Sequence, residues 1–138
     1  MDQARPSAQS TAVLPVLLLL YGVASLVHFI HNAEFVADYP NLPAAWTREG
    51  VYAAWLGVTA VGVAGWLILK RGFALAGLLL ILVYAALGLD SLGHYVLAPM
   101  SMHSAAMNST ILFEVTAAGL VFLHAACLLV RRLMGKTP

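Results

Sequence analysis

The sequence predicts an all-α integral membrane protein, an up-down four-helix bundle with N and C termini cytoplasmic. Three observations predict it. Of 138 residues, 62% are hydrophobic and only 9% are Asp, Glu, Lys or Arg, where a soluble domain carries about 25% charge. Four apolar stretches each come near the roughly 20 residues that cross about 30 Å of hydrocarbon. The cations gather in the segments that four spans place on one side. Backbone groups find no water in hydrocarbon, so spanning segments are helices or closed barrels. These runs lack the alternation of barrel strands, which leaves helices.

Residues 1–12 are polar or small around Pro6, show no apolar period and read as a flexible tail. Span one covers about 13–36. Gly22-Val23-Ala24 would suit a signal peptidase, but the apolar run continues through Leu26, Val27, Phe29 and Ile30. That is longer than a signal segment needs, so it is expected to remain as a span. Pro15 is placed in its first turn, where a missing amide is tolerated. Span two covers about 48–69 and carries Ala53, Gly57, Ala60 and Ala64 along one face, a close-approach surface that fits a homodimer. Trp46, Tyr52 and Trp55 near its outer end and Trp66 near its inner end suit interfacial belts. Lys70-Arg71, ending at Gly72, is so short a link that span three, about 73–95, must run antiparallel beside span two. Pro40, Pro43 and Pro99 fall in the outer connections 37–47 and 96–104. Span four covers about 105–130, with Ser104, Asn108 and Ser109 as capping residues, and 131–138 form a basic tail.

Arg5, Lys70, Arg71, Arg131, Arg132 and Lys136 share one side, and only Arg48 lies on the other. The positive-inside rule makes that shared side cytoplasmic and places the chain in the inner (cytoplasmic) membrane. A formal net charge of +1 with seven Lys and Arg offers no basic face to phosphates, which excludes nucleic-acid binding. Cys127 is the single cysteine; it makes no internal disulfide and reads as a small packing residue.

Ionisable side chains inside the spans are the informative ones, because each costs on the order of 3 kcal/mol at a helix centre. His28, His31 and Glu34 lie in span one, Asp90 and His94 in span three, Glu114 and His124 in span four, and His103 in the second outer connection. At about 100° per residue, His28, His31 and Glu34 step round one face toward the outer surface. Asp90 and His94, four apart, stack on one face, and Glu114 shares its face with Thr110. At 1.5 Å per residue His31 and Asp90 lie about 7 Å from the outer ends, and His28 and Glu114 about 12 to 14 Å. Three helices therefore deliver His, Asp and Glu to one layer in the outer half.

A divalent metal site is the first reading of that layer. Imidazoles with carboxylates suit zinc or iron, and helical bundles build such sites from inward-facing His and Glu. His28, His31, Asp90, His94 and His103 are the expected ligands. Glu114 is the expected general base or a further ligand, in a small metalloenzyme acting on a lipophilic molecule from the bilayer. Met100, Met102 and Met107 near His103 would suit copper, although interfacial methionines commonly just fill gaps. One alternative is haem b held by His28 or His31 with His94 or His103. Others are a proton or ion carrier, for which the inner half supplies only His124, and an accessory subunit of a larger membrane complex. A polar network that only fixes helix register needs no ligand. No HExxH, paired CxxC or clustered HxxHH motif occurs.

Overall fold

The structure is a computed structural model that describes residues 8–135, with side chains from Val13 onward. Arg5, Pro6, Lys136 and the tail expected over 1–7 lie outside the described residues. The apolar runs form helices α1 (Ala8–Glu34), α2 (Arg48–Lys70), α3 (Ala74–Leu89), α4 (Gly93–Leu97) and α5 (Ala105–Leu133), with no strand among the described residues. Four stretches are long and apolar enough to cross a membrane: Val13–Glu34, Arg48–Lys70, Ala74–Leu97 and Ala105–Leu133. α2 packs on α3, α3 on α5, α5 on α1 and α1 on α2, which closes the four long helices into a bundle.

Local chemistry sets most helix ends. Thr47 caps α2 by accepting from the Gly50 amide at 3.1 Å, and Ser104 caps α5 by accepting from Met107 at 3.2 Å. Gly72, at φ 91°, makes the tight turn after Lys70-Arg71 that only glycine adopts without strain. Two boundaries differ from expectation. α1 already runs from Ala8, so Pro15 lies inside the helix and removes one of its hydrogen bonds. α5 continues to Leu133, so Arg131 and Arg132 form its last turn, where cations meet the negative end of the helix dipole, and are not part of a tail.

Span three is not one unbroken helix. α3 stops at Leu89, a 3-10 turn covers Asp90–Leu92, and α4 resumes at Gly93. A 3-10 residue advances about 120° where an α residue advances about 100°, so the turn offsets Asp90 from the regular helical stacking on His94, although both line one cavity.

The core lies where α1, α3 and α5 meet. Tyr21 stacks at 4.3 Å on Tyr84 and donates to the Tyr84 carbonyl at 3.0 Å. Small residues let backbones approach. A Cβ at Gly77 would stand 2.6 Å from the Leu69 amide nitrogen, and one at Gly62 would stand 2.6 Å from the Tyr84 ring. The face of α2 that α3 uses is therefore Gly62 and Gly65. Ala53, Gly57 and Ala60 are exposed on another face of the helix.

Candidate functional site

The polar residues collect at the end of the bundle closed by the 35–47 and 98–104 connections. The packing of α1 on α5 sets His28 against Thr110 and Glu114, which are one turn apart. His28 Nδ1 is 3.3 Å from Thr110 Oγ1, and His28 Nε2 is 3.7 Å from Glu114 Oε2. The Thr110 hydroxyl already donates to the Met107 carbonyl at 3.0 Å, so its oxygen accepts and His28 Nδ1 carries the proton. His28 Nε2 then faces a Glu114 carboxyl oxygen across a gap too wide for a hydrogen bond. Glu114 is 0% exposed and His28 2%. Ser91 donates to Glu114 Oε2 at 2.6 Å, while Oε1 has no partner.

A layer of rings lies above this pair. His94 meets His28 edge to face at 5.4 Å between centroids, Tyr39 lies over His94 at 4.9 Å, and His103 stands 6.2 Å from His94. Asn32 Nδ2 is 3.4 Å from His94 Nε2, and its Oδ1 is buried without a partner. His103 Nδ1 donates to the Pro99 carbonyl at 3.2 Å, which leaves a buried, unpartnered Nε2. Tyr95 donates to Asn108 Oδ1 at 2.9 Å. Asn108 Nδ2 in turn donates to the Met100 and His103 carbonyls at 3.2 Å, tying the 98–104 connection to α5. Tyr39 belongs to a connection yet is only 4% exposed, and burial pushes its phenol up to about 12.

A cavity of about 500 Å³ opens beside these groups, with His28, Asn32, Asp90, Ser91 and His94 on its polar wall and Trp46 among its apolar residues. Of the expected site residues, His28, Asp90 and His94 line this chamber. The structure brings together His28, His94 and Glu114, with His103 one ring further on. His31 turns instead to the Tyr39 hydroxyl at 3.0 Å. Glu34 leaves the His28 face for the outside, where Arg48 donates to it at 2.6 Å and Tyr52 at 2.7 Å. Asp90 is exposed at the chamber wall. Among the described residues no three His, Cys, Asp or Glu side chains stand close enough together to hold one metal ion. Met107 packs with Tyr39 and Ile111, whereas Met100 and Met102 are exposed.

Sequence reasoning missed Ser91, Asn32 and Tyr39 as parts of the site. Asn32 sits beside His31 in a span too apolar to keep an amide without use. A tyrosine between Asp38 and Pro40 carries no comparable signal. Compared with known protein families, curated proteins and solved structures, the chain matches none.

Proposed function

We propose that this is a multi-pass protein of the cytoplasmic membrane that binds one divalent metal ion, zinc or iron, between His28 and Glu114. We further propose that it acts there as a small metalloenzyme on a lipophilic substrate. One observation carries the reading: a buried imidazole lone pair and a buried carboxylate oxygen face each other 3.7 Å apart. Two acceptors at that distance suit a cation between them, since ligands about 2.1 Å from a tetrahedral ion stand roughly 3.4 Å from one another. The Ser91 hydroxyl on Glu114 resembles the outer hydrogen bonds that orient metal-bound carboxylates. His94, whose ring touches His28, becomes the third ligand on rotating away from Asn32. His103 and Asp90 flank the site, and His31 supports it through Tyr39. The ion would supply Lewis acidity and an activated water. A haem fits less well, because the His28 and His94 rings already meet edge to face and leave no slot for a macrocycle. Lys70, Arg71, Arg131 and Arg132 lie at the opposite end of the bundle, which turns the chamber away from the cytoplasm.

The test is metal analysis of detergent-purified protein beside His28→Gln and Glu114→Gln variants. Near-stoichiometric zinc or iron in the parent, with at least about tenfold less in both folded variants, is expected. A parent free of metal after reconstitution with either ion, or a visible Soret band, overturns the reading.

A further inference from the structure

Two cavities follow one another along α1, one facing α2 and the other facing mainly residues 87–97 of span three, with Val51 of α2 at its edge. One is the polar chamber. The other is an apolar crevice of about 440 Å³, lined in helical succession by Leu26, Gly22, Leu18 and Pro15 on α1 and by Thr59 and Gly62 on α2. The chamber extends both rows, with Phe29 and Asn32 on α1 and Val51 on α2. From Pro15 to Asn32 the α1 row runs about 26 Å at 1.5 Å per residue. α1 packs more extensively on α5 than on α2, so this is the loosest seam around the bundle.

Chemistry changes along the seam. The crevice is apolar against the surrounding hydrocarbon, and the chamber is polar. Between them Thr59 Oγ1 and Trp55 Nε1, one turn apart on α2, are buried without partners. Such groups are costly in a medium that offers no hydrogen bonds. No Lys or Arg lines either cavity, and the Asp90 carboxyl borders the polar one.

We propose that the α1–α2 seam binds a single-chain amphiphile with a neutral, oxygen-bearing head, of the monoacylglycerol or long-chain alcohol class. The chain lies against Leu18, Gly22 and Gly62, the oxygens next to it approach Thr59, and the head enters the chamber toward Asn32 and Ser91. The crevice has room on the scale of one acyl chain. With the ion removed, an anionic head would face Asp90 with no Lys or Arg to meet it, which selects against a free fatty acid in the chelated protein. This inference rests on the lipophilic-substrate half of the function proposed above and is independent of the ion.

The chain's three tryptophans report on the seam, because Trp46 lines the chamber, Trp66 lines the crevice and Trp55 lies between them on α2. The probe is dibromostearoyl glycerol, a bromine-labelled quencher of tryptophan fluorescence, titrated into phosphatidylcholine nanodiscs holding the full chain. Saturable quenching is expected with and without prior chelation, and in the chelated protein dibromostearate at mildly alkaline pH is expected to bind at least about tenfold more weakly. Gly22→Phe fills the crevice where a Cβ meets only the Tyr84 hydroxyl, at 4.0 Å. Val63→Phe does the same from a crevice residue that is 51% exposed. Each is expected to weaken binding at least about tenfold, while Gly57→Phe, on the open face of α2, leaves it unchanged. Quenching that rises linearly with probe and never saturates is ordinary lipid contact and overturns the proposal. So does unchanged affinity in a folded Gly22→Phe or Val63→Phe variant, or a preference for the fatty acid in the chelated protein. Saturable, neutral-selective quenching in a protein shown to bind no metal supports the seam and removes only the ion.

Discussion

His28 is held from both sides by one helix: Thr110 takes its proton at Nδ1, and Glu114 stands opposite Nε2. Because the Thr110 hydroxyl donates to the Met107 carbonyl, its oxygen is left to accept from His28 Nδ1. The Ser91 hydroxyl bears on Glu114 alone and touches no expected ligand besides it. Ser91→Ala is therefore expected to weaken zinc or iron retention by about tenfold, less than Glu114→Gln, in the same metal analysis. Equal metal content in Ser91→Ala and the parent would show that the carboxylate needs no outer support. Counting residues from the span ends was enough to place His28 and Glu114 at one depth. The tautomer of His28 and the reach of Ser91 depend on rotamers that no residue count contains. The contact of His31 Nδ1 with the Tyr39 hydroxyl is of the same kind, since it depends on a connection folding back over the helix end.

At the level of elements, length and hydropathy located the four spans, because a run of apolar residues has one structural solution in hydrocarbon. Interruptions were less legible. Nothing in Leu89-Asp90-Ser91 announces a 3-10 turn; it is a tertiary outcome that aims Ser91 at α5. The small residues of α2 divide between two faces. The regular spacing of Ala53, Gly57, Ala60 and Ala64 drew attention to one face of α2, while the close approach to α3 uses Gly62, Gly65 and Gly77. Because the obstacle at Gly77 is the Leu69 backbone, a methyl group there must push α2 and α3 apart. Gly77→Ala is expected to destabilise the fold by about 1 to 3 kcal/mol, read as a lower melting temperature in detergent. Gly57→Ala, with open space around its Cβ, should melt no lower than the parent. If both variants melt alike, the α2–α3 contact is not as close as described.

For the whole molecule, the proposed topology is checked by labelling. With Cys127 replaced by Ala, Ser101→Cys is expected to react with a membrane-impermeant maleimide added to intact cells, and Arg71→Cys only after lysis. The opposite pattern would invert the bundle. The exposed Ala53, Gly57 and Ala60 face is the proposed homodimer surface. Gly57→Leu is expected to halve the protein mass in nanodiscs and fails as a test of that surface only if the parent is itself a monomer, which disproves the dimer directly. The position of the two connections bears on rate as well as on shape. Tyr39 and His103, supplied by separate connections, are buried at 4% and 6% exposure and stand 6.4 Å apart between ring centroids, beside His94 at the chamber end of the bundle. In the proposed membrane topology, entry through the seam requires neither connection to lift, so the rate at which a lipophilic molecule fills the chamber would be set by the bilayer and not by loop opening.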